Sequence, residues 1–160
     1  MSAWHRFREL FQPLDPYIDF YLFQMPPSFA YNDESMERIR TFARETGLGP
    51  RLAIEFRHDS WFNSEDAINE LRNLGITVVS VDEPGGVTWI RSTSGIVYLR
   101  LHGRTDWYMY DYGEDELRDL AIKAVSLNPN AIYVFFNNDH WMLENARKML
   151  EILRSLIGGE

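Results

Sequence analysis

The sequence predicts an α/β fold of five parallel strands joined by helical crossovers. Three observations lead there. Five separate stretches are apolar enough for buried strands: Ile18 to Gln24 (IDFYLFQ), Leu52 to Arg57 (LAIEFR), Ile76 to Asp82 (ITVVSVD), Ile96 to Leu101 (IVYLRL) and Ala131 to Asn137 (AIYVFFN). Amphipathic stretches with helix start and stop signals lie between them. Each apolar run also ends in groups able to do chemistry: Gln24, then Glu55, Arg57 and His58, then Asp82 and Glu83, then Arg100, His102 and Arg104, then Asn137, Asn138 and Asp139. Ligands of α/β folds bind at the carboxyl ends of parallel strands, so this one-sidedness places a site there.

Taken in order, Trp4 to Leu10 is an amphipathic leading stretch ahead of the first strand. Asp33 or Ser35 can cap a helix through about Glu45, with Met36, Ile39, Phe42 and Ala43 at helical spacing, and the turn GLGP at Gly47 to Pro50 ends it. Asn63 or Ser64 opens the next helix, which turns Ala67, Ile68 and Leu71 inward and stops before Gly75. The connection Glu83 to Gly95 (EPGGVTWIRSTSG) is too rich in Pro and Gly for a helix; it predicts a loop or a short hairpin through Val87 to Arg91. Glu114 to Val125 and Trp141 to Ile157 supply the last two helices. Asp139 is suited to cap the second of these, and Gly158 and Gly159 to close it.

Composition bounds the function. With 160 residues, 45% of them hydrophobic, the chain suits a single domain over 1–160, and no segment approaches the roughly 18 apolar residues of a membrane span. The opening MSAWHRFREL lacks a secretory signal, which predicts a cytoplasmic protein. The absence of cysteine excludes disulfides, thiolate metal sites and a cysteine nucleophile. A net charge of −8 argues against bulk nucleic acid or an anionic membrane as partner, while allowing a local basic pocket. No GxxxxGK[ST], GxGxxG, GxSxG or HExxH motif is present, against phosphate-loop, dinucleotide and serine-hydrolase chemistry.

Four ordered blocks carry a resemblance. LAIEFRHDSWF at Leu52 to Phe62, QMPPSF at Gln24 to Phe29, YLRLHGR at Tyr98 to Arg104 and YVFFNND at Tyr133 to Asp139 are similar to the strand-end blocks of the YecE-like family, also called domain of unknown function 72. The resemblance implies an eight-stranded β/α barrel with a site at its carboxyl rim, and no particular reaction. Family members carry strands before the QMPPSF block. Here the four repeats from Ile18 to Ala131 take 113 residues. Eight such units would need roughly 225, within the usual barrel length of about 200 to 250. The expectation is therefore an incomplete TIM-type β/α barrel of five parallel strands, the C-terminal part of a YecE-like barrel, with a five-stranded doubly wound sheet as the alternative. An incomplete barrel would expose strand edges, predicting a homo-oligomer or a separately encoded N-terminal barrel segment as partner.

Strand alternation puts Glu55 and Arg57 on one face beside Ala53, and Arg100 and His102 on one face beside Tyr98. Glu55 can act as a general acid or base, or it can belong to an internal ion-pair network with Arg57. His102 can shuttle protons near neutral pH or orient a carboxylate. Arg57, Arg100 and Arg104 present forks suited to an anion; Gln24 and Asn137 suit hydroxyls; His58 and Asp82 complete the predicted substrate-binding set. No cofactor is implied by any motif, although Glu55, Asp82 and His102 could together hold a divalent metal. Trp61, Trp107, Tyr108, Tyr110, Tyr112 and Trp141 follow strand ends and can stack a sugar or base, or pack as core. The leading function is an enzyme acting on a small anionic, hydroxylated substrate such as a sugar phosphate or nucleotide fragment. The alternative is a non-catalytic ligand-binding or interaction module that needs a partner chain.

Overall fold

Strand order decides between the two folds. A computed structural model describes residues 3–86 and 89–158. Its strands β1 (Tyr21–Gln24), β2 (Leu52–Glu55), β3 (Thr77–Asp82), β4 (Ile96–Leu101) and β5 (Ala131–Phe136) form one sheet in the order β1-β2-β3-β4-β5. Every neighbouring pair is parallel. A doubly wound sheet reverses its order at a switch point and carries helices on both faces. Here the order never reverses, and the helices share one face. Leu52, Ile54 and Val78 pack with Met36, Ile39, Ala67, Ile68 and Leu71. Val97, Leu99 and Leu101 pack with Leu117, Leu120, Ala121, Met149 and Ile152. The opposite face carries Ala53, Val79 and Tyr98 with Phe20 and Val81 against them.

That second face is concave. Phe20, just before β1, meets Tyr98 of β4 at 5.0 Å and Tyr133 of β5 at 4.8 Å between ring centroids. In a flat sheet β1 and β5 would lie about 19 Å apart. The sheet therefore curls as a barrel wall does, with an aromatic layer across the amino-terminal end of its lumen, and it stays open between β1 and β5. The fold is an incomplete β/α barrel of five parallel strands.

Five helices accompany the strands among the described residues: α1 (Ala3–Phe11), α2 (Asp33–Thr46), α3 (Glu65–Asn73), α4 (Glu114–Ser126) and α5 (Met142–Ile157). Two predicted caps differ from the structure. The α2 cap is Asn32, whose Oδ1 accepts from the Ser35 amide at 2.9 Å; Asp33 is already helical, so the cap falls one residue before the expected Asp33 or Ser35. Asp139 does not cap α5, because a single 3-10 turn, Asp139–Trp141, intervenes and the helix begins at Met142. Ser64 caps α3 through the Ala67 amide, and Gly47 ends α2 in the left-handed conformation. Val87 and Thr88 of the expected loop or hairpin, and Gly159 beyond α5, lie outside the described residues; 89–94 form no strand.

The open edges are apolar. Along β1, a groove of 840 Å³ is lined by Trp4, Phe7, Phe11, Leu22, Phe23 and Phe42, among others. On α5, Leu143, Leu150 and Ile157 stand exposed at seven-residue spacing. No helix among the described residues is long and apolar enough to cross a membrane.

Candidate functional site

The groove along β1 is larger but carries almost no chemistry. The second cavity, 490 Å³, opens at the carboxyl ends of the strands on the concave face. Alternation builds it: above the Phe20–Tyr98 layer the same face presents Gln24, Glu55 and Arg100, and then Arg57, Glu83 and His102. Pro27, Trp107 and Tyr108 complete its wall.

Glu55 is the hub. It is 3% exposed, and its Oε1 accepts from Gln24 Nε2 at 2.9 Å and Arg57 Nε at 3.3 Å. Its Oε2 accepts from Arg100 Nη1. Burial pushes this carboxyl up, but the hydrogen bonds from Gln24 and Arg100, with the Arg100 charge, outweigh it and hold Glu55 below the ordinary carboxylate range. An ionised Glu55 thus ties two guanidiniums together, the ion-pair arrangement that alternation along β2 allowed.

The two arginines are held unequally. The Arg100 side chain is only 14% exposed, whereas that of Arg57 is 45% exposed and bonds, among the described residues, through Nε alone. Both Arg57 Nη groups are therefore without a hydrogen-bond partner among the described residues. His102 is buried; desolvation and then the Arg100 charge push its imidazole below the usual value, so it is neutral at neutral pH. Its Nδ1 is buried without a partner among the described residues. Glu83 behaves oppositely to Glu55: burial, then the Glu55 charge, raise its carboxyl above the ordinary range.

Several predicted site residues lie elsewhere. Asp82 has the other parity from Glu83 and turns to the helix side, where its Oδ2 accepts from Arg104 Nε at 3.1 Å. Arg104 also reaches Glu116 at 2.8 Å, so neither Asp82 nor Arg104 lines the cavity. Glu55, Asp82 and His102 do not converge, and no cluster of three metal-ligating His, Cys, Asp or Glu occurs among the described residues. His58 Nδ1 accepts from the Ser60 amide and pairs with its hydroxyl, closing the turn after β2. Asn137 follows β5 with its Oδ1 buried and, among the described residues, unpaired, outside the cavity lining.

The aromatics divide in the same way. Trp61 is fully buried, 3.9 Å from Phe56 in a stack and donating to the Phe29 carbonyl at 2.7 Å. Tyr112 is buried beneath the loop, and its hydroxyl oxygen accepts from the Gly103 amide at 2.9 Å. Gly103 itself has φ +108, and a Cβ there would overlap the Asp106 carbonyl oxygen and stand 2.7 Å from Tyr110 Cβ, so only glycine lets the loop fold back. Trp107 and Tyr108, at the loop tip, stand 48% and 52% exposed over the cavity. Glu83 and Pro27 are the cavity residues absent from the predicted set. The signal for Glu83 was available, since ITVVSVDE places it on the face of Val79 and Val81.

Comparison with known proteins agrees with this architecture. The family described as protein of unknown function DUF72 matches residues 1–158. A DUF72 family protein from Thermotoga maritima is 31% identical, with a TM-score of 0.78, over 95% of this chain and 64% of its own length. A DUF72 family protein from Enterococcus faecalis, 24% identical, gives a TM-score of 0.81 over 92% of this chain and 66% of its own, a likeness of fold. This chain thus spans less than two thirds of the Thermotoga protein. No curated protein matches it.

Proposed function

The chain belongs to the DUF72 family of proteins of unknown function, and we propose that its carboxyl-rim cavity is the active site of an enzyme acting on a small anionic, hydroxylated substrate. Sugar phosphates and nucleotide fragments are the class that fits. The carrying observation is the Glu55 hub: a buried carboxylate that fixes Arg100 and orients Arg57 while leaving the Arg57 Nη groups open to the cavity. Guanidiniums pre-positioned in this way bind an anion without reorganising on arrival. Gln24 holds hydroxyls beside it. His102, neutral and lining the cavity, accepts a proton from the bound substrate and returns it to the product as its conjugate acid. Glu55, held ionised, organises the site and does not transfer protons.

Thermal protection by inorganic phosphate or sulfate tests the anion role. At ten times its dissociation constant, a ligand of the folded state stabilises by about 1.4 kcal/mol, a shift of a few degrees for a chain of this size. Arg57→Ala should abolish the shift; the half-exposed position makes misfolding of this variant no explanation. Arg100→Ala should also abolish it. Equal protection of wild type and both variants sinks the anion role.

A second reading rests on the open sheet. The apolar groove along β1 and the exposed stripe on α5 support a partner that covers both edges, either another copy of the chain or a separately encoded segment supplying further barrel strands. In this reading residues 1–160 are a single domain forming the C-terminal part of a YecE-like barrel. Such an assembly is compatible with catalysis, and equally with a module that binds its ligand without converting it.

A further inference from the structure

Trp107 and Tyr108 are the two large aromatics that line the polar cavity. Neither ring is stacked: Trp107 meets His102 at 5.7 Å with a 54° tilt and Tyr108 at 5.7 Å with a 45° tilt. By contrast Trp61, whose role is packing, lies nearly parallel to Phe56 at 3.9 Å and to Phe29 at 5.7 Å. The loop tip is nonetheless held in place. The Tyr108 amide donates to the His102 carbonyl at 2.9 Å, and Tyr108 adopts φ 63, a left-handed conformation that aromatic residues rarely take. At the loop base Tyr112 receives the Gly103 amide, and Arg104 bridges Asp82 and Glu116. A strained, well-anchored loop thus holds two half-exposed aromatic side chains at the wall of the cavity that Arg57 and Arg100 also line.

Spacing narrows the class of ligand. Arg100 and His102 are two residues apart on one strand face, about 6.6 Å along the chain, and the His102 ring is 5.7 Å from Trp107. The arginines and the ring wall therefore bound one cavity, and Gln24, Glu83 and His102 supply hydrogen-bonding groups along it. A cavity of 490 Å³ exceeds what orthophosphate or a small sugar phosphate fills. Building on the anion reading above, we infer that the ligand is a nucleoside monophosphate, with its phosphate on Arg57 and Arg100 and its base against Trp107 and Tyr108. Stacking of this kind tolerates either purine or pyrimidine, because every base has a π face.

Titration calorimetry of the full chain with inorganic phosphate, ribose 5-phosphate, adenosine 5′-monophosphate and uridine 5′-monophosphate separates the claims. At least one nucleotide should bind about tenfold or more tightly than ribose 5-phosphate, the lower range of what one stacked base contributes. Trp107→Ala should remove that advantage and leave the ribose 5-phosphate affinity within about twofold, since stacking alone is lost. Tryptophan fluorescence should be quenched by the favoured nucleotide in wild type and unaffected by it in Trp107→Ala. If ribose 5-phosphate binds as tightly as both nucleotides, or Trp107→Ala weakens sugar phosphate and nucleotide alike, the nucleotide assignment fails while the anion site stands. If none of the four probes binds, both fail together.

Discussion

Replacing Glu55 with glutamine isolates the charge at the centre of the site. The side chains are nearly isosteric, so the packing around position 55 is kept. One carboxylate oxygen becomes an NH2 group, which must face either the Arg100 guanidinium or the donors from Gln24 and Arg57. Removing one partner of a buried ion pair costs about 3–5 kcal/mol. Arg100 keeps some solvent access, and the amide retains one acceptor, so the expected loss is about 2–3 kcal/mol. With a urea slope near 2 kcal/mol/M, the midpoint should fall by about 1–1.5 M at pH 7. The pH dependence gives an independent check. Because Glu55 is held below its ordinary value of 4.5, the unfolded chain takes up the proton first; the stabilisation is complete above that value and is lost as pH falls through the folded one. The gap between wild type and Glu55→Gln should therefore be flat from about pH 7 to 5 and shrink below about 4.5. A gap under about 0.5 kcal/mol at pH 7, or one that persists unchanged to pH 3, would refute the hub.

Glu83 should respond with the opposite sign: its carboxyl is raised by burial and by Glu55, so its ionisation on going to higher pH destabilises the folded chain. Glu83→Gln should be more stable than wild type by on the order of 0.5–1 kcal/mol at pH 7.5, with the advantage gone at pH 4, and a variant uniformly less stable across that range contradicts this. The open edges predict association: light scattering should give a mass above one chain, or the isolated chain should bind an apolar-surface dye strongly. A monodisperse monomer with cooperative unfolding and no dye binding would remove the need for a partner.

Much of the fold was legible because strand and helix periods differ. All five strands appear where apolar runs were found, and only their ends differ: β1 begins at Tyr21 instead of Ile18, and β2 stops at Glu55 instead of Arg57. Those end residues are extended or turn-like without ladder partners, a distinction that side-chain pattern does not carry. The cap of α2 was misplaced because Asn32, Asp33 and Ser35 can all accept an amide; only the backbone, with Asn32 at φ −161, selects among them. Asp139 looked like a cap by the same chemistry, and the single turn that displaces it leaves no mark in residue type.

The site was legible by strand and less so by face. Glu55, Arg57, Arg100, His102 and Gln24 converge because their alternation within each strand was read, and parallel pairing then brings like faces together. Asp82 and Glu83 show the limit: adjacent in sequence and chemically alike, they sit on opposite faces, one pairing with Arg104 beside α4 and the other facing Glu55 across the cavity. The parity set by Val79 and Val81 puts Glu83, not Asp82, on the cavity face. Arg104 escaped in a different way, since Gly103 breaks the alternation before it and a left-handed turn sends its guanidinium to Asp82 and Glu116. Past that glycine the period of two has no authority, and the direction of a side chain depends on loop contacts such as Tyr112 to Gly103, made across many residues. The same contacts carry Trp107 and Tyr108 to the cavity wall, so the part of the site least readable from spacing is the part on which the nucleotide proposal rests.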